Sequence, residues 1–371
     1  MFLAIFAARV GGQATYGALP LTAPDPADNP SAPEKVALGR LLFWDPILSG
    51  ERDVACATCH HPAFAYAEPL DLSIGVTGIG LGANRRFSGA RRVPFVQRNT
   101  QTVLNAAFNG MNDDGRIEAE TAIMFWDGRA RRLEGQAIFP IRAVEEMRGD
   151  AYAEADALDE VAARLRAIPE YVERFSAAFG GPAPVTPSNM AKAIAAFQRT
   201  LITPMSSFDR YMRGDRSAMT ARQIRGMQQF ADAGCVNCHR GPMFSDFKFH
   251  TLGLPDNAKL PASDTGLNGT HGFRTPSLRN VSRTAPYMHN GIFVTIQQVL
   301  GFYERVQQSH GTRSQNAAIP DRNMAPLLGE LDFSSGVEDI EAFLDAISDG
   351  PFDASEPDRV PSGLAVGGRL R

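Results

Sequence analysis

Cysteine is scarce in this 371-residue chain, which holds four, and tryptophan is scarcer, with two. No apolar run reaches the roughly 20 residues that a membrane-crossing helix takes, so no membrane span is expected. Neither sign of charge dominates: a formal net charge of −4 offers no basic footprint for nucleic acid. Strand-like alternation is rare, which counts against a thioredoxin-like βαβ setting. The seven histidines are spread unevenly, and none falls between His61 and His239. What the chain does have is length for two domains and 44% hydrophobic residues, enough for a sizeable core.

All four cysteines lie in two Cys-x-x-Cys-His stretches, Cys56-Ala57-Thr58-Cys59-His60 and Cys235-Val236-Asn237-Cys238-His239. That spacing is the attachment signature of c-type haem. Each sulfur adds to a haem vinyl group and the histidine sits under the iron as proximal ligand. The spacing is strict because two thioethers and one imidazole must reach one macrocycle from a single tight turn. A zinc site made from two Cys-x-x-Cys pairs would not need a histidine directly after each. Two covalently bound haem c groups, and hence redox chemistry, are expected, with no cysteine left for a disulfide. Bacteria attach haem covalently outside the cytoplasmic membrane, so a periplasmic location is expected. The apolar stretch Met1 to Ala8 has no basic residue before Arg9, and residues 1–20 are open to reading as a clipped or a misannotated signal peptide.

Along the chain, Thr22 to Pro33 reads as an extended arm, and a helix is expected from about Ala32 to Phe43. Ser73 to Arg98, rich in glycine and arginine, reads as a long loop of the kind that carries function. Helices are expected over Glu160 to Phe179, stopped by Gly180-Gly181-Pro182, and over Ser188 to Leu201. A weak repeat sets Gly39-Arg40-Leu41-Leu42-Phe43 before the first haem motif and Gly226-Met227-Gln228-Gln229-Phe230 before the second. The expected fold is mainly α: two cytochrome-c-like haem domains, 22–202 and 203–371, packed against each other with long irregular loops.

The stretches LGRLLFWDPILSG, CATCHHPAFAY, RNTQTVLNAAFNG, FWDGRARRLEGQA, CVNCHRGPMF, FRTPSLRNVSRTAPYMHNG and GFYERV run in order from Lys35 to Val306. In this combination the chain resembles the bacterial di-haem cytochrome c peroxidases and, among them, the MauG-like oxidases. The resemblance implies a peroxidatic haem in the N-terminal domain and an electron-transfer haem in the C-terminal one. In classical members a second histidine, in the loop after the first motif, caps the peroxidatic iron at rest. Here that loop has none, and His61 is chained beside His60, so the first iron is expected to be open.

The resemblance implies further roles. Glu146 would carry protons, Gln136 would hydrogen-bond to bound peroxide, and Pro140 would shape a water-limited pocket. On local pattern alone, Glu145 and Glu146 read sooner as a solvated charge pair, and it is the resemblance that reverses this. Trp126 would relay electrons between the haems. For the sixth ligand of the His239 haem the candidates are Met288, His289 and Tyr303. Classical members have methionine where Tyr303 stands, and MauG-like ones have tyrosine. A thioether raises the haem potential, whereas a hard, anionic phenolate favours oxidised iron. Asn99, Thr284 and Pro286 match the family's calcium site, with oxygen donors suited to a hard cation. One departure is Ala233, where MauG-like proteins that complete a tryptophan-derived cofactor carry a tryptophan.

The expected function is a periplasmic di-haem peroxidase that reduces hydrogen peroxide at the His60 haem. Its electrons would pass through the His239 haem from a small c-type cytochrome or cupredoxin. The alternative is a MauG-like, peroxide-dependent oxidase that modifies a side chain of a protein substrate. A plain electron-transfer cytochrome is a third reading, disfavoured by the open first iron and by Glu146.

Overall fold

The computed structural model describes residues 8–10, 13–89, 93–348 and 350–367. Apart from Ala8, the stretch Met1 to Ala8 lies outside them. Helices dominate, and the strands are short two-stranded pairs such as Phe249–His250 with Phe273–Arg274. The chain divides into two compact units that interleave in sequence. One holds Ala23–Ala107, Ala130–Ile202 and Asp353–Arg371, and the other holds Met1–Thr22, Phe108–Arg129 and Thr203–Phe352. These interleaved units differ from the linear division into 22–202 and 203–371. It misassigns 108–129 and 353–371, whose partners are distant in sequence.

The first unit contains seven α-helices among its described residues: α1 (Pro33–Trp44), α2 (Cys56–Cys59), α3 (Arg132–Ala137), α4 (Phe139–Arg142), α5 (Ala157–Arg166), α6 (Pro169–Phe179) and α7 (Pro187–Thr200). The pattern from Glu160 to Phe179 is two helices rather than one. Ile168 is extended because Pro169 disfavours a helical residue before it, and Pro169 then opens α6. Gly180 ends α6 with φ +65°, as expected for a glycine stop. α7 begins under Thr186, whose hydroxyl accepts from the Asn189 amide at 3.1 Å. The core joins Leu38 and Leu42 of α1 to Val161, Leu165, Tyr171, Phe175, Met190 and Ile194, all fully buried.

The second unit contains α8 (Ser207–Met212), α9 (Ala221–Asp232), α10 (Ile296–Gln308) and α11 (Ile340–Ala346). Phe208, Phe230, Phe244 and Phe343 form its aromatic core, and Tyr16 packs among them with ring centroids 5.5 Å from Phe244 and 5.8 Å from Phe343. Tyr16 is thus built into this unit rather than trailing before it. At the centre lies a fully buried ion pair, Arg279 with Asp209, at 3.0 Å.

The weak sequence repeat has a physical basis. A Cβ on Gly39 of α1 would meet the Ala193 carbonyl oxygen of α7 at 1.9 Å. A Cβ on Gly226 of α9 would meet the Asp339 carbonyl oxygen, at the head of α11, also at 1.9 Å. In each unit the helix before a haem motif uses glycine to press against a partner helix. An aromatic residue of each helix then packs on one of its partner: Phe43 on Phe197 at 5.3 Å, and Phe230 on Phe343 at 5.4 Å.

Candidate haem sites

In the first unit α2 carries both cysteines on one turn. Its entry is fixed by Thr58, whose hydroxyl accepts from the Ala55 amide at 3.0 Å. The His60 amide donates to the Cys56 carbonyl at 2.9 Å, so the imidazole leaves the turn beside the two sulfurs. Ala65 and Tyr66 both adopt left-handed backbone (φ +52° and +55°), a costly reversal for residues with a Cβ. The reversal brings the Tyr66 carbonyl to 3.2 Å from His60 Nδ1. That contact assigns the proton to Nδ1 and leaves Nε2 with a lone pair for a metal. Burial pulls the imidazole down to about 4, so it is neutral. Burial also pushes the Cys56 thiol up to about 12 and raises Cys59.

These three residues line a pocket with about 590 Å³ of empty space, part of it open to solvent. Gln136 of α3, Pro140 of α4 and Glu146 line the same pocket, as do the hydroxyl residues Ser73 and Thr100. Among the described residues the lining contains a single histidine, His60. His61 is turned elsewhere, edge-on to Trp44 at 5.5 Å and 3.3 Å from the Glu356 carboxylate.

Glu146 stands on a single π-helical turn, Val144–Arg148, a form that recurs at functional sites. The long loop after Ser73 holds that turn. The Val76 amide donates to the Glu146 carbonyl at 3.0 Å, and a Cβ on Gly75 would meet the carbonyl oxygens of Glu145 and Glu146 at 2.2 Å each. Buried Arg85 secures the loop in turn, donating to the carbonyls of Ile74, Gly75 and Gly80.

Sequence reasoning missed Glu68, which is 1% exposed and faces Cys59, Ser73 and Thr100. A single carboxylate inside the apolar run Ala63 to Leu70 was the available signal.

In the second unit the turn Cys235–Asn237 follows Gly234 at φ +80°. The His239 amide donates to the Cys235 carbonyl at 2.8 Å. His239 Nδ1 lies 2.9 Å from the carbonyl of Phe244, itself left-handed at φ +51°. Beside Cys238, His250 Nε2 pairs with the buried Asp246 carboxylate at 3.0 Å, which pushes the imidazole up to about 9. These three residues are metal-ligand types within 4.8 Å of one another, but haem attachment would occupy the Cys238 sulfur.

Tyr303, on α10, is in the apolar cluster of Phe302, Val306 and Leu328 together with Met288. Burial raises its hydroxyl, and Cys238 and Cys235 are near enough to raise it further. Met288 has φ +72°. His289 stacks face to face on Phe273 at 3.6 Å. Trp126 is 9% exposed, and its carbonyl accepts from the Arg274 amide at 2.7 Å, docking its segment on the short strand Phe273–Arg274. Ala233 is fully buried and its carbonyl accepts from the Asp332 amide, so no surface tryptophan takes its place. Asn99 belongs to the first unit, where its amide donates to the carbonyls of Leu70 and Asp71. Thr284 and Pro286 belong to the second.

Two histidines, each following a Cys-x-x-Cys turn and each turning Nδ1 to a main-chain carbonyl, fit c-type haem, and the chain's class is that of a di-haem c-type protein. Residues 33–217 match the family model described as di-haem cytochrome c peroxidase. The chain is 34% identical over 362 residues to cytochrome-c peroxidase IdrP1 of Pseudomonas sp. (strain SCT), covering 88% of this chain and 83% of that one. It is 38% identical over 291 residues to methylamine utilization protein MauG of Methylorubrum extorquens, covering 76% and 72%. Among solved structures it is similar to a MauG-like protein associated with microbial copper homeostasis, with 27% identity, a TM-score of 0.69 and coverage of 89% and 94%. The chain belongs to the di-haem cytochrome c peroxidase family, whose members include MauG, and it is a di-haem oxidoreductase.

Proposed function

We propose that the chain reduces hydrogen peroxide at the His60 haem, with electrons entering through the His239 haem from a small c-type cytochrome or cupredoxin in the periplasm. One observation carries this reading: Glu146 and Gln136 line the same pocket as Cys56, Cys59 and His60, and among the described residues no second histidine does. A haem held by Cys56, Cys59 and His60 would supply the iron chemistry that breaks the peroxide O–O bond, and one held by Cys235, Cys238 and His239 would store and pass electrons.

The chain's own groups supply the rest. Glu146 accepts a proton from the near peroxide oxygen and returns one to the far oxygen, a role worth about 10²–10⁴ in rate. The Gln136 amide donates a hydrogen bond to peroxide. Pro140 keeps that side of the pocket short of polar groups. Tyr303 is the better sixth ligand for the second iron, since its hydroxyl stands near both attachment cysteines. Met288, in the same cluster, is the rival. Trp126 is the relay between the haems.

Tyr303 also favours a second reading, a MauG-like oxidase acting on a protein side chain, because a phenolate suits an iron that holds oxidising equivalents. Buried Ala233 removes one known exit for them. The discriminating experiment mixes the enzyme and peroxide with a reduced small c-type cytochrome. The peroxidase oxidises two cytochromes per peroxide at steady state. Cytochrome that stays reduced while peroxide is consumed overturns that reading in favour of the oxidase.

A further inference from the structure

Glu68 is a buried carboxyl that the proposed mechanism leaves unused. Its side chain sits in the first unit on the segment after the Ala65–Tyr66 reversal, and it is 1% exposed. Neither carboxylate oxygen makes a hydrogen bond of ordinary geometry. The donors facing it are the hydroxyls of Ser73 and Thr100 and the sulfur of Cys59. The charged group acting on it is Arg85, whose guanidinium is bonded to the carbonyls of Ile74, Gly75 and Gly80.

Ser73 and Thr100 are hydrogen-bonded to each other through their hydroxyls. Both line the pocket that also presents Glu146 and Gln136. The buried carboxyl therefore lies beside a hydroxyl pair that lines the pocket, and each hydroxyl can accept one proton and donate another. Burial is the leading influence on Glu68 and pushes it up to about 7, so at neutral pH much of it carries a proton. Thioether formation at Cys59 takes away one donor to the charged form and moves it further the same way.

We propose that Glu68 is a second proton carrier of the peroxide site, feeding the pocket through the Ser73–Thr100 hydroxyl pair. The inference rests on the reading of that pocket as the peroxide site. Reduction of one hydrogen peroxide to two waters takes two electrons, from the donor protein, and two protons. Glu146 only moves the protons already on peroxide. Glu68 releases its proton to the nearer hydroxyl, the hydroxyl pair passes one on to the oxygen in the pocket, and solvent reprotonates the carboxylate after each transfer, so that two transfers supply the two protons of one turnover.

The test uses the haem-loaded enzyme and Glu68→Gln, which keeps the shape and removes the transferable proton. Infrared difference spectra between oxidised and reduced enzyme are expected to contain a protonated-carboxyl band that shifts in deuterium oxide and is absent in Glu68→Gln. The wild-type rate with peroxide is expected to fall as pH rises above about 7. Glu68→Gln should be slower by about 100-fold and lack that limb. Survival of the band in Glu68→Gln, or a wild-type pH profile in it, overturns the proposal. If Glu68→Gln takes up no haem, the double variant Ser73→Ala, Thr100→Val cuts the relay with Glu68 intact and must lose the same limb. Glu146→Gln separates the two readings. Full activity there sinks the pocket's assignment itself, whereas an inactive Glu146→Gln beside a wild-type Glu68→Gln sinks only the relay.

Discussion

His239 turns its Nδ1 to the Phe244 carbonyl at 2.9 Å, as His60 does to the Tyr66 carbonyl at 3.2 Å. Both carbonyls belong to residues with positive φ, at +51° and +55°. Two units of the chain thus reach the same metal-ready imidazole through the same local device: a left-handed residue five or six positions on.

That device predicts two haems per chain, covalently held. A pyridine haemochrome assay after acid-acetone extraction should give two. The variant Cys235→Ala, Cys238→Ala should give one, with the His60 haem retained. Extractable haem in the wild type contradicts the assignment of the motifs.

Gly75 ties the long loop to Glu146. Gly75→Ala puts a methyl 2.2 Å from two carbonyl oxygens, so the π-turn must shift. The expected cost is about 1–3 kcal/mol in stability, together with a loss of peroxide reactivity approaching that of Glu146→Gln. Calorimetry and rapid mixing check the two effects separately. A variant that is destabilised yet fully reactive removes the loop from the mechanism.

Tyr303 is open to a direct spectroscopic check. Tyr303→Phe should alter the second haem's absorption and potential while leaving two haems attached. Tyr303→Met should raise that potential, since the axial ligand is a main determinant of it. An unchanged spectrum and potential in Tyr303→Phe passes the ligand role to Met288.

The buried pair of Arg279 and Asp209 anchors the second unit, and the Arg279 guanidinium also faces the Phe208 and Phe244 rings at 5.2 and 5.1 Å. Arg279→Ala leaves Asp209 charged and fully buried, which costs about 3–5 kcal/mol. Urea titration of the haem-loaded protein measures it. A loss below about 1 kcal/mol would mean that Asp209 is balanced by other groups.

Much of the site was legible because haem attachment imposes a rigid local spacing. The helices α1 and α7 were legible from their periodicity and proline starts. The break at Ile168 was missed although Pro169 signals it, because Val161, Leu165, Val172 and Phe175 stay in helical phase across it. The interleaving of the units was not legible, since residues 108–129 and 353–371 are placed by loops and side chains distant in sequence. Glu68 was hidden for the same reason: the groups facing it, Cys59, Ser73 and Thr100, come from three separate stretches of chain. Gln136, Pro140 and Glu146 came from family resemblance, and only the fold puts them around one pocket.

The most direct test of the central claim is rapid mixing of the oxidised, as-purified enzyme with hydrogen peroxide, followed by haem absorption. With His60 alone among the pocket's histidines, the resting spectrum should contain one high-spin haem, and it should respond to peroxide at once with no reductant present. Two low-spin haems, with a response only after one electron has been supplied, would contradict an open first iron and restore the gated mechanism of the classical peroxidases.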